Sequence, residues 1–247
     1  MIWLLVGQLS QTIKLYEMEK LGLNYVDKLR PLLSNSTEYR SRGYALLYGD
    51  DTQRPQLNEL KRQINDGLQA LAAFERSNGF SDEPVNSQAI SNQWQALSLD
   101  MPAELWIEAN NALIESQLQQ LQRVADLTRL EMDPSLDSTY LIKAAIQAIP
   151  AAYSALGLSE AYAARVSGVG QFSPDSYVTL VKLNENLALA REHLLQTLNV
   201  SLEESERINA DLSSVVNQAN SSEEKFYRFV AARIINPDSI EASSDEV

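Results

Sequence analysis

Arg42 is the residue best suited to grip an anion, because a guanidinium presents a fork of N–H groups matching the two oxygens of a carboxylate. Tyr39 stands one helical turn before it, so on a helix the two side chains share a face. Asp137 and Tyr140 repeat that spacing and offer an acceptor and a hydroxyl. Tyr39, Arg42, Asp137 and Tyr140 are therefore the candidate ligand-binding residues. Three of them also have a plainer structural role: Arg42 can pair with Asp50 or Asp137, Asp137 can cap a helix, and Tyr140 can pack with its hydroxyl satisfied.

Catalytic constellations are hard to assemble. The chain has no cysteine and one histidine, His193, set in a polar Arg191-Glu192-His193 stretch that reads as a helix flank. Disulfides, thiolate metal sites and cysteine nucleophiles are excluded, and a lone histidine falls short of a zinc ligand set. No phosphate-cradling loop, dinucleotide fingerprint or nucleophile elbow is present. Glu203-Glu204 and Glu223-Glu224 are adjacent carboxylates that face different ways on a helix and read as solvated faces. The chain is read as non-enzymatic, with no cofactor and no metal. A net charge of −13 disfavours nucleic acid and anionic lipid surfaces.

The elements that position these residues are helices. Gly22, Tyr25, Leu29, Leu32, Ser36, Tyr39, Gly43 and Leu46 alternate steps of three and four, continuing back through Met18 to Leu15, which is the seam of a packed helix. One long helix to about Leu47 follows, bent near Pro31 and stopped by Gly49-Asp50-Asp51. A second amphipathic run uses Leu57, Leu60, Ile64, Leu68, Leu71 and Phe74 and ends at Ser77-Asn78-Gly79. A short helix around Ile90 to Leu97 precedes the break at Asp100-Met101-Pro102, and a longer one carries Trp106, Leu113, Leu121 and Val124.

Asp133-Pro134 reads as a cap and first turn. The helix it opens reaches the neighbourhood of Pro150 and Leu156, with a short segment through Tyr162 leading to Gly168-Val169-Gly170. Ser173-Pro174 starts the last long helix, whose seam runs from Leu180 through Leu187, Leu198 and Ser205 to Ala219, and Ser221 to Glu224 reads as a capping-box restart. No β-alternation of useful length occurs. The fold class is all-α: an elongated antiparallel bundle whose long terminal helices pack together. Two stacked four-helix modules and a single long bundle both fit that description. Residues 1–7 are apolar but short of the roughly 20 needed to cross a bilayer, and read as the end of a membrane helix. Residues 8–236 form the domain, and 237–247, acidic and without an apolar run, read as a frayed tail.

The Asp133-Pro134-Ser135-Leu136-Asp137-Ser138-Thr139-Tyr140-Leu141 segment resembles one found in the extracytoplasmic sensor regions of bacterial methyl-accepting chemotaxis proteins and related membrane sensor kinases. Glu19 to Leu33 looks like the stretch after their first membrane span, and Ser41-Arg42-Gly43 with Gly49-Asp50 looks like their H-R-G…G-D element. Ser41 stands where that pattern has histidine, so no imidazole role carries over. Pro150, Ala164-Arg165 and Gly168 to Gly170 continue the likeness. The resemblance implies a periplasmic ligand-sensing domain of an inner-membrane receptor, homodimeric and joined to the membrane by flanking helices. It would bind a small molecule between its helices, an organic anion being one candidate, and signal by helix displacement. The alternative is a non-catalytic rod that docks a periplasmic binding protein or another partner. Gly22, Ser36 and Gly43 leave room in the seam, which predicts that neighbouring helices slide there.

Overall fold

The computed structural model describes residues 2–80, 85, 87–132, 135–243 and 246–247, and side chains from Thr12 onward. Every regular element among the described residues is helical, as the hydrophobic spacing predicts. Asp133 and Pro134, read as a cap, lie outside the described residues. The first helix, α1 (Ile2–Leu47), runs 46 residues without a break through Pro31. Pro31 faces solvent, which can meet the carbonyl that a proline leaves without a donor. The predicted seam is the buried one, Gly22 to Leu46, whereas Leu15 and Met18 project past the bundle and are exposed.

Two helices run antiparallel to α1 and close its seam. These are α2 (Arg54–Ser77), with Leu57, Leu60, Ile64, Leu68 and Leu71 inward, and α4 (Ala103–Thr128), with Trp106, Leu113, Leu121 and Val124 inward. The short α3 (Gln88–Ala96) leans on α4 and buries Ile90 and Trp94. Glycines set how closely the helices approach. A Cβ at Gly43 would lie 2.2 Å from Trp106 Cη2, and one at Gly22 would lie 2.1 Å from Thr128 Oγ1. The small seam residues expected to leave sliding room are thus holes already filled by α4 side chains. They lock the register of α1 rather than loosening it.

The middle of the chain forms one 34-residue helix, Leu136–Val169. It comprises α5 (Leu136–Lys143), a π turn (Ala144–Ala148) and α6 (Ile149–Val169). The expected stop near Pro150 does not occur. The π turn lets the N–H of Ile149 reach Ala144 O, five residues back, so the ladder is already displaced where Pro150 lacks its donor. This spine runs parallel to α1: Ser34 meets Tyr153, Arg40 meets Ser154 and Tyr44 meets Arg165. Its other side meets α7 (Pro174–Glu204), which opens on the predicted Ser173 cap in a capping box with Ser176. The most apolar 18 residues of this helix have a mean hydropathy of 1.3, and a third of them are buried, as suits a helix contacted from two sides.

The last helix is two helices. The chain reverses at Ser205, extended at φ −137° and ψ 110°, whose Oγ accepts from the N–H of Ile208. The second arm, α8 (Glu206–Val230), folds back antiparallel on α7. Asn209 Nδ2 donates to Leu202 O at 3.1 Å, Arg191 faces Glu224, and Asn184 reaches Tyr227 O. Ser221 to Glu224, read as a restart, lie inside α8. The spacing of apolar residues is the same on both sides of Ser205, so periodicity alone extends the helix through it. The element shared by the two packing units is consequently the spine, and neither terminal helix packs along the other's length.

The result is an antiparallel all-α bundle with α1, α2 and α4 on one side of the spine and the α7–α8 hairpin on the other. It exposes 13959 Å², against about 11,000 Å² for a compact monomer of this mass. After a π turn at Ala231–Ile235, the acidic end returns to the bundle instead of fraying. Ala242 is 5% exposed among Val166, Leu180, Val230 and Ile234, and Arg233 pairs with Glu241.

Candidate functional site

The largest polar space that includes a predicted residue is a groove of about 480 Å³ between α1 and α6. Thr37, Glu38, Ser41 and Arg42 face it from α1, and Tyr153, Gly157, Glu160 and Ala161 from α6. Gly157 allows this approach, since a Cβ there would press on Thr37 Cγ2 at 3.0 Å and Ser41 Oγ at 3.1 Å. Ser41 Oγ donates across the floor to Gly157 O at 2.8 Å, so Ser41 joins the two helices.

Arg42 is held by three acceptors. Its Nε donates to Glu38 Oε1 at 2.7 Å, and its Nη1 to Gln53 Oε1 at 2.8 Å and to Gln56 Oε1. The partners weighed from sequence, Asp50 and Asp137, are elsewhere. Asp50 caps the following turn, accepting from the hydroxyl of Thr52 and from Gln53 Nε2, which hold its carboxyl below the usual carboxylate range. Nη2 of Arg42 donates to no described residue, and Thr37 Oγ1 is buried without a partner. Glu160 has no cation beside it, and burial raises its carboxyl above the ordinary value. One fixed guanidinium, one unpaired carboxyl and one idle hydroxyl therefore converge on the groove.

The groove opens at Ala45, Gln53 and Ala164 into a second hollow of about 470 Å³ bounded by Tyr48, Gly49, Asp50, Arg165 and Gly168. The Arg165 guanidinium lies over three rings, 4.6 Å from the centroid of Tyr48 and 5.9 Å from those of Tyr44 and Tyr162, and donates to Tyr44 Oη at 3.1 Å. Stacking of this kind holds the end of α6 against α1. The Ser41-Arg42-Gly43, Gly49-Asp50, Ala164-Arg165 and Gly168 segments, separated in sequence, thus gather at one end of the bundle.

The other predicted residues do not join them. Tyr39 is 5% exposed in the core, edge-on to Trp94 at 4.9 Å and tilted against Trp106 at 5.8 Å. Its helical spacing from Arg42 is real, but the two side chains diverge around α1, one inward and one to the groove. Asp137 and Tyr140 sit near the start of the spine, roughly 30 Å along it from Gly157 at 1.5 Å per residue. Asp137 accepts from the hydroxyl of Ser135 and the N–H of Ser138, which lower its pKa, with Ser205 adding to this. Its carbonyl accepts from Ser201 Oγ at 2.8 Å, so this residue ties α5 to the tip of the α7–α8 hairpin. Tyr140 stacks under Lys143.

Sequence reasoning overlooked Arg40. It is 2% exposed with no carboxylate beside it, its Nη1 donating to Asn111 Oδ1 at 3.0 Å and its Nη2 to Ser154 O at 2.7 Å. Burial lowers its pKa to about 10. An arginine two positions out of phase with an acceptor-binding partner in an apolar seam was the available signal. No family model matches the chain, nor does any curated protein or solved structure.

Proposed function

We propose that the chain is a non-catalytic ligand-sensing domain that takes a small polar molecule in the α1/α6 groove and passes the event along α1. The observation that carries this reading is the convergence on one groove of the prearranged Arg42 guanidinium, the unpartnered Thr37 Oγ1 and the uncompensated Glu160. Small-molecule sites combine a concave wall with a few such polar groups. Two carboxyls line the groove together with that guanidinium: Glu38, which pairs with it, and Glu160, which does not. They favour a ligand bearing a cationic as well as an anionic group over a plain organic anion.

Direction of signal follows from connectivity. α1 is continuous from the groove to Ile2, about 50 Å of rigid helix, and is locked to α4 at Gly22 and Gly43. α1 and α4 therefore move together, and displacement falls on the interface with the spine. Helix shifts at such interfaces are typically about 1–2 Å. The apolar 1–7 segment at the far end of α1 fits attachment to a membrane, with the domain periplasmic in an inner-membrane receptor, which is part of the same proposal.

A thermal-shift series with zwitterionic amino acids, organic acids and amines tests it. Binding raises the unfolding free energy by about 2.7 kcal/mol at a hundredfold excess over Kd. Stabilisation by a zwitterion that disappears in both Arg42→Gln and Glu160→Gln is the expected result. Stabilisation by none of these classes, or stabilisation indifferent to both substitutions, rejects the groove as the site. The partner-docking alternative has its own support: Ile13, Tyr16 and Leu23 are 49%, 65% and 49% exposed on the projecting part of α1. That stretch suits self-association or another helix, and cysteine cross-linking along it in a membrane-bound parent would reveal such a partner.

A further inference from the structure

On the opposite side of the spine lies a smaller, drier space of about 230 Å³ enclosed by α6, α7 and α8. Its walls are aliphatic: Ile149, Ala152, Leu194, Leu198 and Val216. Arg191 enters it from α7. The Nε and Nη1 of Arg191 are buried and make no hydrogen bond, and the nearest carboxylate oxygen, Glu224 Oε2, stands 3.6 Å from Nη1, too far for one. On α8, Asn220 Oδ1 is likewise buried without a donor. A buried donor left unmet is destabilising, and more so when it carries charge. The two donors point to different sides of one guanidinium, and each lacks an acceptor beside the apolar wall.

We propose that this space is a second binding site, separate from the α1/α6 groove, for a compact apolar carboxylate that accepts from one of the unmet donors of Arg191. The rest of the ligand fills the aliphatic wall. The space equals roughly eight water volumes at ~30 Å³ each, which suits an aromatic or branched short-chain acid and excludes a long acyl chain. Asn220 Oδ1 favours an acid that also carries a hydroxyl near its carboxylate. Burial raises the Glu223 carboxyl while Arg191 pulls it down, so the acid best placed to repel an anion is itself held toward its neutral form. An open groove of about 690 Å³ between α7 and α8 supplies the entrance, and Arg191 and Leu195 line both spaces.

Three observations in the outer hairpin agree with a site that is completed by its occupant. Within Glu206–Val230 only Val230 is buried, three of the unmet polar atoms of α7 and α8 belong to Arg191 and Asn220, which both line this space, and Arg191 faces Glu224 of α8. A carboxylate there would supply a missing acceptor and apolar contacts together.

Methyl-labelled NMR of the whole chain tests this with benzoate, mandelate and benzamide. The expected result is saturable shifts of the Ala152, Leu198 and Val216 methyls with benzoate, stronger with mandelate, and none with isosteric, uncharged benzamide. Arg191→Gln should weaken benzoate at least tenfold. Arg191→Lys, which keeps the charge and shifts the donor, should fall between. Val216→Phe, which fills the chamber, should abolish binding while Arg42→Gln leaves it unchanged. Circular dichroism of each variant separates lost binding from lost folding, and Arg191→Lys carries the test should Arg191→Gln unfold. Absence of methyl shifts at millimolar benzoate, equal binding of benzamide, or an affinity indifferent to both Arg191 variants overturns the proposal.

Discussion

The two sides of the spine solve the same packing problem in opposite ways. Around α1, α2 and α4 the core is built from large side chains, with Trp106, Tyr25, Leu29, Ile64 and Leu121 essentially inaccessible. One polar cluster in it is tied together, Tyr25 Oη lying 2.5 Å from Glu75 Oε1, Gln120 Nε2 donating to Tyr25 Oη at 2.7 Å and Ser87 Oγ to Glu75 Oε2 at 2.8 Å, while Trp106 Nε1, Asn110 Oδ1 and Gln117 Oε1 are buried without a partner. Burial, and then the Glu75 carboxylate as acceptor, push the Tyr25 phenol well above its ordinary pKa and keep it a donor. On the other side the buried cluster is Ala163, Val166, Leu180, Val230, Ile234 and Ala242, with Leu187 and Leu198 also buried and no aromatic ring among them. Stability is concentrated where the chain is closed, and empty space where it opens. Regions that bind and move are drawn from the less stable end of such a gradient.

The strongest way to break that contrast is to damage the closed side. Trp106→Ala removes the knob that fills the Gly43 hole, and loss of a buried tryptophan costs about 3–5 kcal/mol. Denaturant unfolding should register this in full, and Gly43→Leu should destabilise in the same sense by overpacking. A Gly43→Leu chain of unchanged stability would mean that Trp106 does not key the register. Gln120→Leu comes next: it strips a donor from the Tyr25–Glu75 cluster and should cost about 1–3 kcal/mol, seen as a lower midpoint at unchanged denaturant slope.

Smaller effects belong to the open side. Ser205→Ala loses the hydroxyl that caps α8, worth about 1 kcal/mol. Hydrogen exchange should accelerate across Glu206–Val230 and stay slow in α2 and α4. Uniform acceleration would show that the hairpin unfolds only with the whole.

Acid should sharpen the contrast further. The Asp137 pKa is depressed, so what its carboxylate contributes is complete above the ordinary aspartate value of 3.8 and fades as pH falls through the lower folded value. Exchange at the hairpin tip should therefore rise in strong acid. Glu160 is raised, so its proton is lost from the unfolded chain first, and stability falls as pH climbs from about 4.5 through its folded pKa. Glu160→Gln should remove that second slope and leave the first.

What periodicity discloses is which face of a helix is buried, and α1 shows how well. Gly22, Tyr25, Leu29, Leu32, Ser36, Tyr39, Gly43 and Leu46 all lie inside. It does not disclose the partner. Leu15 and Met18 continue the same seam with nothing against them, and Leu202, Ser205 and Ile208 continue another while the chain turns around. Site legibility failed for the same reason. Arg42 reached a groove because α6, far off in sequence, runs beside it, whereas Asp137, with equal credentials, was drawn into closing the hairpin. Arg191 looked like surface because its neighbours Glu192 and His193 are exposed. Only the return of α8 encloses it.

The single extended residue at Ser205 has one more consequence. Because the apolar spacing runs on through it, the sequence of α7 and α8 is compatible with a straight helix roughly 85 Å long at 1.5 Å per residue. Straightened, α8 would leave its own α7 and present the same face, Ile208, Leu212 and Val216, to the α7 of a second molecule, exchanging identical arms at no loss of contacts. The closed monomer and the swapped pair would then differ chiefly in the geometry of one serine and in protein concentration. Size-exclusion chromatography with light scattering on Ser205→Ala, held concentrated and then diluted, should reveal a slowly dissociating dimer that the parent chain forms less readily.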